Sequence, residues 1–334
     1  MNENLIELLE CPVCHNQLAW QVVSKSGSHI ERAEARCFDC GAIYPVMDGI
    51  GIFLTPDLPR NDMWEQVDSR LALHLKEYPD LERKLMGVSL ETLSPTDQLL
   101  RQMILEEWAR FDESRKINAL EKLYTSDYVA CWKSQYEYVL ESLGEFRGPV
   151  ADLASGRCYL AEQIASRLHR PVIITDFSLR VLRRNQKYFQ FLGLDDLASF
   201  IAFDARKTPF RNGAVECMTT NLGLPNIESP TNVMSELHRI IGGTLLAISH
   251  FYPMEDEPNG KAITEAGLEA FVYKESALRH FLESGWRVEI ENACTGDALP
   301  TPASSIFDIR PDGLPVAPTK LEWCTLRAVN KMDR

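Results

Sequence analysis

Residues 149–158, Pro-Val-Ala-Asp-Leu-Ala-Ser-Gly-Arg-Cys, decide how the chain is read: a short apolar run ends on Asp152 and gives way to a turn of small residues. The figure recurs. Pro171-Val-Ile-Ile-Thr runs into Asp176 and Phe200-Ile-Ala-Phe into Asp204, and a helix-patterned segment follows each of the first two acids. Read as strand ends, the three acids predict an α/β fold whose parallel sheet holds a ligand at its carboxyl edge.

The chemistry of that edge follows from the residue types. Small side chains after Asp152 let the backbone approach a ligand closely, and free N–H groups at the start of the next helix favour a carboxylate. Asp176, one βα unit later, suits a carboxylate accepting from two ribose hydroxyls. Asp204, one strand further, suits an acceptor for an exocyclic amine of a base. Together they outline a nucleoside with an amino-acid tail. A dinucleotide-binding sheet is the competing reading, but the Gly-x-Gly-x-x-Gly fingerprint is absent.

On these motifs residues 148–250 resemble a class I S-adenosylmethionine-dependent methyltransferase. The family's first motif, Asp-x-Gly-x-Gly-x-Gly, aligns with Asp152, Ala154, Gly156 and Cys158, so two of three glycines are replaced. Thr175-Asp176-Phe177-Ser178 resembles the ribose-binding strand end. Phe203-Asp204-Ala205 with Pro209-Phe210 resembles the adenine-binding segment, and Glu236-Leu-His-Arg-Ile-Ile-Gly-Gly243 the helix and turn before the fifth strand. The resemblance implies a Rossmann-like seven-stranded sheet. It also implies a cofactor set of Asp152, Ala154, Ser155, Gly156, Asp176, Phe177, Asp204 and Ala205.

At the amino end, Cys11-Pro-Val-Cys14 and Cys37-Phe-Asp-Cys40 form two Cys-x-x-Cys pairs with 22 residues between them. Two such knuckles place four thiolates on one cation and close a tetrahedral Zn²⁺ site with no open position, a structural site. His15 adjoins Cys14, but the all-thiolate set is complete without it. Disulfides are the alternative, set aside because the start lacks the basic region of a secretory leader and five more cysteines are scattered along the chain. The surrounding sequence is similar to the small zinc-ribbon proteins that activate tRNA and translation-factor methyltransferases, and to the ribbon of bacterial rRNA guanine methyltransferases. A ribbon fused in cis to its catalytic domain is the expectation.

Three parts result: a zinc ribbon over 1–56, a helical connector or lid over 57–147, and the S-adenosylmethionine-binding domain over 148–334. A chain of 334 residues has room for them. No apolar run nears the roughly 18 residues of a membrane span, so no membrane and a cytoplasmic address are expected. The formal charge of -13 weighs against a phosphate-backbone partner, and RNA is demoted as substrate. The densest basic run, Arg180, Arg183, Arg184 and Lys187, reads as a solvated helix face.

In the connector, Ser94-Pro95-Thr96-Asp97 predicts a capped helix start. Tyr124, Tyr128, Trp132 and Tyr136 recur every four residues, which predicts one helical stripe. Packing against the sheet is its plain role; as a lid, Tyr128 and Trp132 face the cationic sulfonium. For catalysis, Asn221 after the fourth strand orients a polar substrate, and His250 after the fifth is a general base near neutral pH. Residues 221–226 match the amine-methyltransferase motif only loosely. Two loops, 250–267 with Glu255, Asp256 and Glu257, and 296–319, are expected over the active edge, before a final antiparallel pair of strands.

The function this implies is methyl transfer to a small metabolite or peptide-like acceptor. Three alternatives stand beside it: attack on another sulfonium carbon with release of methylthioadenosine, RNA methylation, and a non-catalytic zinc-ribbon interaction protein. The oligomeric state is left open.

Overall fold

The structure is a computed structural model that describes residues 1–58, 74–112 and 115–330. Within the connector, 59–73 and 113–114 therefore lie outside the described residues.

Among the described residues, eleven strands form one sheet in the order β1-β2-β3-β4-β7-β6-β5-β8-β9-β11-β10. The first four belong to the amino-terminal module: β1 Leu18–Ser26, β2 His29–Cys37, β3 Ile43–Met47 and β4 Ile50–Ile52. The other seven are β5 Val150–Asp152, β6 Val172–Asp176, β7 Ala198–Ala202, β8 Val215–Asn221, β9 Ile241–Phe251, β10 Trp286–Ala298 and β11 Thr319–Asn330. Seven strands were expected; the sheet does not stop there. β7 would otherwise present an open edge of unpaired amides and carbonyls. β4 covers that edge in parallel, Ile50 opposite Phe200 and Ile52 opposite Ala202.

Strands β5 to β7 are buried along their whole length, so they read as continuous apolar runs with both faces covered. Alternation still sorts their side chains. Ile173 faces one core with the ribbon, Val233, Leu237 and Phe281, whereas Val172 and Ile174 face the other with Val139, Ile164 and Phe189. β10 and β11 pair antiparallel, as do β11 and β9, which completes the expected carboxy-terminal hairpin.

The described helices are α1 Pro79–Met86, α2 Pro95–Glu107, α3 Arg115–Leu123, α4 Ser126–Ser142, α5 Tyr159–Leu168, α6 Leu179–Leu192, α7 Pro230–Ile240, α8 Glu257–Ala266, α9 Glu269–Val272 and α10 Lys274–Glu283. α2 begins as its sequence predicts: the Ser94 hydroxyl accepts from the Asp97 amide at 3.1 Å, with Pro95 in the first turn.

Two local readings are corrected. The aromatic stripe is broken, because Tyr124 lies between α3 and α4, where Thr125 caps α4 by accepting from the Tyr128 amide at 3.1 Å. A threonine two residues before an acid was a cap signal in plain sight. And Gly242-Gly243 do not make a turn: they open β9, where a Cβ on Gly243 would stand 2.2 Å from the Glu216 carbonyl oxygen. Only glycine lets the two backbones run that close.

The ribbon is also tied to α7. Glu10 receives Arg239 at 2.6 Å and His15 at 2.8 Å, and Arg239 in turn holds Glu236. The Glu-Leu-His-Arg helix is thus a docking element for the amino-terminal module. His238, read as a packing residue, lies edge-on to Trp286.

Candidate functional site

The carboxyl ends of β5, β6, β8 and β9 converge on a cavity of about 450 Å³. Its floor is the turn after β5. Ala154, Gly156 and Cys158 all sit at left-handed backbone angles, φ 49°, 50° and 52°. The turn therefore keeps the geometry that glycines usually supply, at a cost of roughly 1–2 kcal/mol for each residue carrying a Cβ. The Cys158 side chain is 1% exposed and packs in the core behind the turn, away from the cavity.

Behind the turn lies Asp152. Its carboxylate accepts from the Thr219 hydroxyl at 2.8 Å, and its main-chain carbonyl accepts from Ser155 and Thr175, both at 2.8 Å. Burial pushes the acid up to about 7, helped by the nearby Asp176 charge. Asp152 does not line the cavity. It braces the strand ends that do.

Asp176 faces the cavity and is held from below, one oxygen accepting from the Gly156 amide at 3.1 Å and the other from the Ser178 amide at 2.9 Å. A carboxylate carries about four lone-pair sites, so it can accept from more donors than these two amides. Ala154, Ser155, Gly156, Phe177, Asp204 and Ala205 line the same wall. Asp204 is gripped by Arg206 through both carboxylate oxygens, at 2.7 and 2.9 Å, and Arg206 reaches on to Glu228 at 3.2 Å. Sequence reading had missed Arg206, although a basic residue two places after a strand-end acid was a usable signal.

The basic run on α6 is not a uniformly solvated face. Arg183 and Lys187 are exposed, but Arg184 is buried and donates to the Gly156 carbonyl at 3.0 Å. Arg180 and Arg184 both meet Glu107 on α2, at 2.7 and 3.4 Å, and Arg157 meets Glu106 at 2.7 Å. These ion pairs bind the end of the connector helix onto the turn that floors the cavity.

At the opposite end, Asn221 closes β8 and His250 lies near the end of β9. The Asn221 amide donates to the Tyr136 hydroxyl at 2.8 Å, while its Oδ1 is buried without a partner among the described residues. His250 Nδ1 is likewise buried without a partner among the described residues, and burial lowers the imidazole to about 4. Its expected poise near neutral pH is corrected accordingly: the ring is neutral at pH 7 and titrates only in acid. The next residue after Asn221, Leu222, is left-handed at φ 54°, so backbone strain clusters at the strand ends facing the cavity.

The roof comes from the connector and the second loop. Leu99, Met103, Leu120, Tyr124 and Tyr128 line it from one side, and Leu299, Pro311, Asp312, Leu314 and Pro315 from the other. Tyr128 packs edge-on against Trp323 at 4.9 Å and stacks on Tyr124 at 4.5 Å. Trp132 does not line the cavity; it packs against Tyr136 and Tyr159.

The two stretches expected as loops meet there, although most of the first, 250–267, is helical, with α8 spanning Glu257–Ala266. Asp97 at the start of α2 accepts from Ser304 and Ser305, and Asn259 on α8 accepts from the Val316 amide at 2.7 Å. Asp256 is taken up in the α8 cap and by the Thr319 hydroxyl, so that acid is structural.

In the ribbon, the four sulfurs of Cys11, Cys14, Cys37 and Cys40 lie within 4.8 Å of one another. Cys11 and Cys40 are 3.6 Å apart and Cys14 and Cys37 are 3.4 Å apart. A tetrahedral ion with metal–sulfur bonds near 2.3 Å sets sulfurs about 3.8 Å apart, so the donor set fits zinc. None of the four is disulfide-bonded among the described residues, and these sulfur pairs lie well beyond the roughly 2.05 Å of a disulfide.

Comparison with known proteins places two modules on the chain. Residues 151–247 match the methyltransferase domain family, and residues 2–49 match the Trm112p-like protein family. A demethylmenaquinone methyltransferase of Streptomyces avermitilis is 31% identical over 106 residues, 31% of this chain and 43% of that protein. The ubiquinone/menaquinone biosynthesis C-methyltransferase UbiE of Pseudomonas aeruginosa is 27% identical over 144 residues, 41% of this chain and 55% of that protein. The chain thus spans about half the length of these curated relatives. Among solved structures, a putative methyltransferase of Bacillus halodurans aligns with TM-score 0.46 and 16% identity, covering 58% of this chain and 97% of that one.

Proposed function

From a chain that carries a class I S-adenosylmethionine-dependent methyltransferase domain with a Trm112p-like zinc ribbon fused in cis, we propose an enzyme that methylates a small-molecule or short peptide-like acceptor. The observation that carries this reading is the cavity itself. Its volume of about 450 Å³ falls in the range of small-molecule sites, and it joins a nucleoside-type edge at one end to unpaired polar atoms at the other.

The residues fit the donor. Asp176 offers a carboxylate acceptor to the ribose hydroxyls, and the small side chains of the left-handed turn at Ala154–Gly156 leave room for an amino-acid tail. Phe177 and Ala205 offer apolar surface to the base, and Asp204, steadied by Arg206, an acceptor for its amine. When bound, S-adenosylmethionine supplies an electrophilic methyl carbon on a sulfonium.

The chain's own part is to orient the acceptor and exclude water. Asn221 Oδ1 is buried and fixed in aim by the bond from its amide to Tyr136, so it accepts a hydrogen bond from an acceptor N–H or O–H. His250 is neutral and has a free ring nitrogen, so it takes up a proton released there. Burial makes it a weak base, suited to an acceptor that already carries a nucleophilic lone pair. The roof of tyrosines and prolines holds the reacting groups in line, and proximity accounts for most of the rate.

The ribbon binds one structural Zn²⁺ through Cys11, Cys14, Cys37 and Cys40, and its metal-dependent folding supports the edge strand β7 through β4. The test is to incubate the pure protein with S-adenosylmethionine and a panel of acceptors and identify the nucleoside product. Acceptor-dependent S-adenosylhomocysteine is expected. Methylthioadenosine formed faster than without enzyme would replace methyl transfer by chemistry on the aminobutyrate arm.

A further inference from the structure

Six side chains of unambiguous charge type line the cavity, and five of them are already answered within the protein. Arg157 meets Glu106. Arg206 meets both Asp204 and Glu228. Asp176 accepts two backbone amides and is reserved for the donor's ribose. The sixth, Asp312, accepts a single hydrogen bond, from the Tyr124 hydroxyl at 2.8 Å, and has no cation beside it among the described residues.

Aromatic rings line the same cavity as that carboxylate. Tyr124 stacks on Tyr128 at 4.5 Å, Tyr128 stands 6.5 Å from His250, and His250 stands 5.9 Å from Tyr252. Tyr128 and Tyr252 both feel the Asp312 charge, which helps to raise their phenols, second to burial itself for each. The row runs along the wall near the end of β9, with Leu299 and Leu321 in the same lining. A desolvated carboxylate on an aromatic wall attracts a cation by direct charge, and neighbouring rings add their quadrupoles. A neutral or anionic ligand group placed there leaves the charge unanswered, so the wall also discriminates.

We propose that Asp312, with Tyr124, Tyr128 and Tyr252, forms the acceptor-recognition wall of the cavity and selects a small molecule that joins a cationic amine to an apolar or aromatic body. The inference rests on the methyltransferase reading, which puts the donor on the Asp176 side and leaves this wall to the acceptor.

The experiment compares tyramine with tyrosol, and benzylamine with benzyl alcohol, pairs that exchange an ammonium for a hydroxyl on the same body. Binding is read by thermal shift and calorimetry on the full-length zinc-loaded protein, with and without S-adenosylhomocysteine. Each amine is expected to bind about tenfold tighter than its alcohol. Asp312→Asn should abolish that difference while leaving S-adenosylhomocysteine affinity within about twofold of the parent. Tyr124→Phe, which removes the hydrogen bond but keeps the charge, should retain the preference. Equal binding of amines and alcohols, or no binding of either amine, overturns the proposal. So does loss of the preference in Tyr124→Phe as well, which would assign it to packing. An Asp312→Asn variant that loses S-adenosylhomocysteine instead would assign the carboxylate to the donor's own ammonium. Failure of the parent to bind S-adenosylhomocysteine would sink the methyltransferase reading, while the amine preference is still decided on the protein alone.

Discussion

Replacing Asp97 by alanine should release the loop that roofs the cavity without unfolding the sheet beneath it. The Asp97 carboxylate is fully buried and accepts from the hydroxyls of Ser94, Ser304 and Ser305 and from the Ser305 amide. Three of these four bonds join α2 to the loop. Burial alone would favour the neutral acid, but the donors outweigh it and hold Asp97 below the usual carboxylate range. Its contribution is therefore present above a pH of about 4, the ordinary aspartate value, and is lost as pH falls through the lower folded value.

A hydrogen bond to a charged group contributes about 1.5–3 kcal/mol net, and three do not add fully because water reaches the freed hydroxyls. We take about 3–5 kcal/mol for the loop contact. The lower figure corresponds to roughly a hundredfold rise in the opening equilibrium. Thr96 still donates to the Pro302 carbonyl and Asn259 still holds residues 316 and 317, so the loop should open locally and not be lost. Hydrogen exchange followed by mass spectrometry reads this directly. Peptides over 299–315 should exchange about a hundredfold faster in Asp97→Ala, while peptides over β5 to β8 stay as in the parent. Unchanged exchange in the loop would refute the staple. An equal rise across the whole sheet would refute its local character.

Other expectations are simpler. Ala154→Gly should raise stability by about 1 kcal/mol, seen as a higher midpoint in urea, because glycine carries no penalty at a left-handed angle; a lower midpoint would contradict the strained turn. Asp152 is raised by burial to about 7, so it is fully protonated in the folded state below the unfolded value. Its contribution should fall away as pH rises from about 4 through 7, and Asp152→Asn should flatten that part of the stability profile. His250, lowered to about 4, has the opposite sign. It costs stability as pH falls from about 6.5 through 4, a loss that His250→Gln should remove. Chelation of zinc should lower the unfolding midpoint of the whole chain as well as the ribbon, because β4 closes the β7 edge; metal analysis well below one zinc per chain at full stability would count against it.

Much of this architecture was legible because it is written in short-range pattern. Apolar runs ending on Asp152 and Asp176, and paired Cys-x-x-Cys knuckles, carry their geometry within a few residues. What escaped reading depends on partners far apart in the chain. Asp97 and Ser304 are separated by 207 positions, Tyr124 and Asp312 by 188, and neither pair leaves a periodic signal. Arg184 looked like any surface arginine on an amphipathic helix; its burial follows from Glu107 and the Gly156 carbonyl, which only the folded chain brings beside it. Conversely, two of the three glycines of the first motif are replaced. The backbone at Ala154 and Cys158 instead keeps the left-handed angles and stores the strain.

The central claim, that the carboxyl edge centred on Asp176 is an S-adenosylmethionine site, is tested most directly by calorimetry with S-adenosylhomocysteine. One ligand per chain is expected for the zinc-loaded protein, with Asp176→Ala weakening it about a hundredfold through loss of the charged acceptor. Absence of binding to the parent protein, or equal binding to Asp176→Ala, would contradict the account.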